Sequence, residues 1–175
     1  DDVWGRADVP AGRSRGEKEA WEIRDEDSKT FGGLGVQKAV KNIHEMIAPA
    51  LIGMDVRDQK NIDLAMIRLD GTPNKKRIGG NAIIGVSMAV ARAGANGCNL
   101  PLYRYLNVNA HVLPVPLLNY INGGRLTSND LDFQEICIFP VGAETFRESM
   151  ISYAVFCLKK KNIPSAKYGK IAVNV

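Results

Sequence analysis

Only three cysteines, Cys98, Cys137 and Cys157, occur in 175 residues, and they have no paired spacing. That suits a reducing compartment better than a disulfide framework. Long apolar runs are also missing: none approaches the roughly 20 residues that span a bilayer, and no charged segment leads into an apolar stretch as in a secretory leader. The chain therefore reads as soluble and cytoplasmic, with no membrane partner. A stripe of one charge sign is absent too. The 23 Lys and Arg against 19 Asp and Glu leave a formal charge of +4, but the basic residues are spread along the chain, which argues against a nucleic-acid footprint. The one basic run, Lys159-Lys160-Lys161, falls where the last turn of a helix would end, a place the helix dipole favours for cations. Length sets a further limit. A chain of 175 residues buries one good core, or one domain and the start of another, and is too short for a closed (β/α)8 barrel.

What is present begins with Val9-Pro10-Ala11-Gly12-Arg13-Ser14-Arg15-Gly16. Gly12 and Gly16 tolerate conformations that other residues avoid, so the run reads as a loop. Arg13 and Arg15 can donate to phosphate or carboxylate oxygens, and the Ser14 hydroxyl can ligate a hard cation bridging those oxygens. Taken alone, the same run also fits a solvated turn.

Apolar residues then recur at three and four positions from Gly33 to Ile52 (Val36, Ala39, Val40, Ile43, Met46, Ile47, Leu51), which predicts an amphipathic helix. His44 lies on or beside its stripe and reads as a packing residue. A second periodic segment, about Val56 to Leu69, stops at the turn Asp70-Gly71-Thr72-Pro73-Asn74. The third, Asn81 to Ala95, has almost no polar face and reads as a buried helix whose small residues admit close neighbours. With the strand-like Val3 to Val9, these helices suggest an α+β domain packed on a sheet. After a linker at Asn107 to His111 the texture changes. Val112 to Ile121 reads as a proline-punctuated strand ending in the turn Asn122-Gly123-Gly124, Phe133 to Phe139 as a second strand, Ala143 to Lys160 as a helix and Ile171 to Val175 as a third strand. Cys137 and Cys157 fall in apolar settings and read as inert packing residues. A boundary is expected near residue 110, dividing the chain into 1–110 and 111–175.

Several of these blocks resemble enolase, phosphopyruvate hydratase, over the whole chain. The family's V-P-S-G-A-S-T-G and E-A-x-E-L-R-D stand here as Val9 to Gly16 and as Glu19-Ala20-Trp21-Glu22-Ile23-Arg24-Asp25. Its D-G-T-x-N-K and G-A-N-A-I-L-G-V-S-L-A-V stand as Asp70 to Lys75 and Gly79 to Val90. Its L-P-V-P, N-x-I-N-G-G and Q-E-F-x-I-x-P-V-G-A stand as Leu113 to Pro116, Asn119 to Gly124 and Gln134 to Ala143. The resemblance implies an α+β capping domain followed by the beginning of an enolase-type (β/α)8 barrel. It also implies Mg²⁺-dependent dehydration of 2-phospho-D-glycerate to phosphoenolpyruvate, in a homodimer or higher homo-oligomer. By the same resemblance Ser14 ligates a Mg²⁺ that arrives with substrate, and Glu135 acts with another carboxylate on the departing hydroxyl or its water. Gln134 is a neighbouring polar contact, and Arg24 and Glu22 could serve a subunit interface. Two divalent cations make the dianionic intermediate of such a reaction tolerable.

Two departures from the family stand out. The strand beginning at Val173-Asn174-Val175 does not continue into the family's G-D-E-G-G, and the acidic ligands and lysine base of later strands are absent. The chain also opens at Asp1-Asp2-Val3-Trp4 without Met. It is therefore expected to be a fragment of a longer polypeptide, unable by itself to assemble the dehydration site. The second departure is chemical. Where the family has N-G-G-S-H-A-G, this chain has Arg125 and Leu126 for the Ser and His, and Arg13 and Arg15 flank the metal-binding serine. One reading keeps 2-phosphoglycerate as substrate with Arg13, Arg15 and Arg125 contacting its phosphate. A second makes the parent a paralogue acting on a more anionic, phosphonate-bearing hydroxy acid. A third makes it a non-catalytic capping module retained for oligomer or partner contacts.

Overall fold

Pro49 shapes the first helical stretch. A proline inside a helix has no N–H to donate and its ring collides with the carbonyl four residues back, here Glu45. In the computed structural model, the helix α1 (Gln37–Asn42) accordingly widens into a π-helical turn at Ile43–Ile47, in which the Ala48 N–H donates to the Ile43 carbonyl, and continues as α2 (Ala48–Leu51). The structure describes residues 3–12, 16–124, 127–142, 144–148 and 150. The expected helical start at Gly33 is too early. Residues 31–33 form a short 3₁₀ turn with φ of 49° at Phe31 and 85° at Gly33, and regular helix resumes only at Gln37. There the Asp25 carboxylate accepts from the backbone N–H groups of Gln37 (2.9 Å) and Lys38 (2.8 Å), capping α1 from twelve residues upstream.

Two further helices complete the core. α3 (Gln59–Asp70) is capped by Asp58, which accepts from the Asn61 N–H, and stops at Gly71 in the left-handed region at φ 67°. α4 (Gly80–Gly97) follows, and a short α5 (Leu102–Leu106) packs back on it. Ala39 of α1 and Ile47 of the π turn are buried with Ile62 and Met66 of α3, Ile78 of the connecting turn and Ala82 of α4. Spacing of three and four puts these residues on facing stripes, and their burial supplies the apolar area that holds the helices together. Val36 and Val40 sit at the margin of the stripe and stay exposed, and His44 is exposed rather than packed.

α4 is less buried than its composition predicts. Ile84 is 49% exposed, and only Ala82, Gly94 and Ala95 are fully buried, while Ile83, Val86 and Val90 are partly buried against the core. Its small residues do admit close neighbours: a Cβ on Gly94 would collide with the Tyr105 hydroxyl. Val3 to Val9 joins no strand among the described residues. The segment runs along α4, with Gly5 against the backbone of Ala89 and Ala93, and its carbonyls are met by side chains of the helix. Asn96 donates to Trp4 O (2.9 Å) and Arg92 to Arg6 O (3.0 Å).

The chain divides into two compact units, 1–110 and 111–175. In the second, β1 (Leu118–Asn122) pairs antiparallel with β2 (Glu135–Ile138), Leu118 opposite Ile138 and Asn122 opposite Glu135, with an irregularity between Asn119 and Ile121. β1 is shorter than the predicted strand because Pro114 and Pro116 have no N–H for a ladder, and residues 111–117 remain outside the sheet. Phe146, Arg147, Glu148 and Met150 are helical. The Thr145 hydroxyl oxygen accepts from the Glu148 N–H while the Glu148 carboxylate accepts from the Glu144 N–H, a reciprocal cap. The predicted strand at 171–175, Cys157 and the Lys159 to Lys161 run lie outside the described residues.

One buried charge organises the turn between α3 and α4. Asp70, 1% exposed, accepts from the Thr72 N–H (2.9 Å), the Thr72 hydroxyl and the Ile78 N–H (2.7 Å). Burial alone would raise its pKa, but the Thr72 hydroxyl and the backbone donors of Ile78, Thr72 and Arg77 outweigh that and hold it below the ordinary aspartate value. A carboxyl with a lowered folded pKa contributes stability above its unfolded pKa and loses it as pH falls through the folded one. Thermal unfolding measured downward from about pH 4 should therefore show a loss of stability in which Asp70 takes part. Asp70→Asn should flatten that part of the profile and cost about 1–3 kcal/mol at neutral pH, because its NH₂ would face donors.

Candidate active site

The loop whose arginines are expected to meet phosphate or carboxylate oxygens is anchored on both sides. On the amino-terminal side, Val9 lies against α4 where Gly85 leaves room for it. On the carboxyl-terminal side, the Glu19 N–H donates to Gly16 O (3.2 Å), and the run Glu19 to Asp25 then docks across the start of α4. Trp21 donates from its N–H to Asn74 O (2.6 Å), and its carbonyl accepts from the Gly80 N–H (2.7 Å). Two residues on, Asn81 replaces a strand partner. Its Oδ1 accepts from the Ile23 N–H (3.1 Å) and its Nδ2 donates to Ile23 O (3.0 Å). The close fit explains Gly79-Gly80: Gly79 has φ 106°, and a Cβ on Gly80 would come within 2.8 Å of the Ala20 Cβ.

Arg24 donates to Leu34 O (2.7 Å) and pairs with Glu22. Both residues offered for an interface thus have partners within this unit. Arg13, Ser14 and Arg15 themselves lie outside the described residues.

In the second unit, Gly123 closes the end of β1. Its N–H donates to Gln134 O (2.7 Å), the Gly124 N–H donates to Leu131 O (2.8 Å), and a Cβ on Gly123 would collide with the Phe133 carbonyl. The turn is longer than the two-glycine signal suggests. Asn129 folds it back by donating to Asn122 O (2.8 Å) and accepting from the Thr127 hydroxyl (2.8 Å). Gln134 and Glu135 therefore stand beside the glycines, Gln134 directly before β2 and Glu135 as its first residue, both exposed. Arg125 and Leu126 lie outside the described residues.

Asn119, not singled out from the sequence, donates to Glu135 Oε2 (2.8 Å), and its Oδ1 accepts from the Cys137 thiol (3.1 Å). Cys137 is thus a half-buried hydrogen-bond donor rather than inert packing, and Cys98 is exposed. Among the described residues, no three His, Cys, Asp or Glu converge as a metal set, and no helix is long and apolar enough to cross a membrane.

Comparison with known proteins decides the family. The model of the enolase N-terminal domain matches residues 1–106, and that of the enolase C-terminal TIM barrel domain matches residues 110–175. The chain belongs to the enolase family. It is 56% identical over 174 residues to an enolase of Pyrococcus furiosus, covering 98% of this chain and 40% of that protein. An enolase of Thermococcus gammatolerans is 55% identical over the same length, with the same coverage of each chain. An enolase of Mycoplasmopsis synoviae is 58% identical over 152 residues, 84% of this chain and 34% of that protein. The chain thus spans about 40% of the length of such relatives, and carries the capping domain and the opening of the barrel.

In this enolase chain the capping-domain motifs interlock through Asn81. Asn81→Ala removes both side-chain bonds to Ile23 and should cost about 1–3 kcal/mol. Limited proteolysis should then cut faster at Lys18 and Arg24, while cleavage at Arg104 should keep its rate.

Proposed function

We propose that this chain forms the capping domain and barrel entrance of a carbon–oxygen lyase that dehydrates 2-phospho-D-glycerate to phosphoenolpyruvate in glycolysis. The observation that carries this reading is relatedness at 53–58% identity to four proteins named enolase, three of them matched over 98% of the chain. The more anionic substrate and the non-catalytic module have no comparable support, and neither is favoured.

In this reading the loop between Val9 and Gly16 contributes Ser14 toward Mg²⁺, with Arg13 and Arg15 toward the substrate phosphate. Arg125 adds a third cation from the loop after β1, and Gln134 a polar contact. Among the described residues no group of His, Cys, Asp or Glu makes up a metal set, and Ser14 would be this chain's ligand to Mg²⁺. Glu135 carries the proton chemistry available in this chain. Its carboxylate, at the start of β2 and exposed, acts with a further carboxylate on the departing hydroxyl or the water it becomes. The protein works in the cytoplasm, as a homodimer or higher homo-oligomer.

Glu135→Gln keeps the shape and removes the titrating group. In the complete gene product it should lower kcat for 2-phospho-D-glycerate by about 10²–10⁴-fold with little change in KM. Turnover at the unsubstituted rate would remove Glu135 from the reaction.

A further inference from the structure

Strand geometry places three polar side chains on one face of the β1–β2 ribbon. Glu135 and Cys137 are two residues apart on β2 and so point the same way, while Ile136 and Ile138 point the other way. Asn119 stands opposite Cys137 in the register and therefore shares that face, with Glu135 as its diagonal neighbour. We infer that Asn119 is a positioning residue for the Glu135 carboxylate, its own amide oriented by the Cys137 thiol. The inference rests on the reading of Glu135 as the proton-handling group.

The chemistry allows one arrangement of the amide. Nδ2 donates to Glu135 Oε2 at 2.8 Å, and Oδ1 accepts from Cys137 Sγ at 3.1 Å. Turning the amide over would set its oxygen against the carboxylate, losing that bond, and leave its NH₂ only the weak sulfur acceptor of the thiol. Oε2 is thus held, which leaves Oε1 as the oxygen that exchanges a proton. Both partners are exposed, so the bond adds little to folding. A misplaced reacting group, by contrast, can cost about 10²-fold in rate. Loss of Asn119 should therefore be read in kcat and hardly at all in stability.

The test is a double-mutant cycle in the complete gene product, with 2-phospho-D-glycerate as substrate and thermal unfolding as control. Asn119→Ala should lower kcat by about 10–100-fold with KM nearly unchanged. Asn119→Asp, equal in shape but without the donor, should do the same and carries the test should the alanine variant misfold. In the Glu135→Gln background, Asn119→Ala should have little further effect, because its action passes through the carboxylate. Cys137→Ser, which keeps a donor for Oδ1, should retain more activity than Cys137→Val. Two results would overturn the inference while leaving the role of Glu135 intact: Glu135→Gln cripples turnover but both Asn119 variants do not, or the two losses multiply. Normal turnover by Glu135→Gln would instead refute the reading beneath it.

Discussion

The first unit depends on one side chain doing the work of a backbone. Asn81 presents an amide to Ile23 in the geometry a neighbouring strand would use, with an oxygen for its N–H and an N–H for its carbonyl. A buried or half-buried extended segment needs such partners, since unpaired peptide groups away from water are costly. Here the partner is the second residue of a helix, and that ties the extended run Glu19 to Asp25 to the start of α4. The loop between Val9 and Gly16 is then held at both ends by the same helix, at Gly85 and at Gly79 to Asn81.

That arrangement rests on the turn beneath it. Asp70 gathers the Thr72 and Ile78 donors, the turn presents the Asn74 carbonyl to Trp21, and the two glycines that follow let Ala20 and Ile23 approach. The block Glu19 to Asp25 and the two adjoining blocks Asp70 to Lys75 and Gly79 to Val90 therefore form one support for one loop. The second unit repeats the logic on a smaller scale. Gly123 permits a backbone contact with Gln134 that no side chain would allow, and Asn129 folds the connection back onto β1. Glu135 is thereby set at the first position of β2, where Asn119 can reach it.

Much of this was legible in the sequence, for identifiable reasons. The 3.6-residue pattern located the helices because the apolar residues of each stripe share one core. Its errors arose where local chemistry overrode periodicity: Pro49 imposed a π turn, the left-handed residues 31–33 delayed α1, and Pro114 and Pro116 kept residues 112–117 out of the ladder. Val3 to Val9 looked like a strand because its alternation is real, but its partner is a helix bearing Arg92 and Asn96. The candidate site was only half legible. Glu135 and Gln134 followed from the motif that holds them, whereas Asn119 lay in the N-x-I-N-G-G block with nothing to mark its side chain. Its role depends on a cross-strand diagonal, which needs the register to be known. His44 and Cys137 were misread for the same reason: composition gives a neighbourhood, not a direction.

We propose that this chain belongs to a dehydratase of 2-phospho-D-glycerate, with arginines added around its loops. The most direct measurement is the steady-state rate at which the complete gene product forms phosphoenolpyruvate from that substrate in the presence of Mg²⁺. Turnover in the ordinary enzymatic range, about 1–10³ per second, is expected. Negligible turnover of 2-phospho-D-glycerate by a folded protein that dehydrates a phosphonate-bearing hydroxy acid would contradict it.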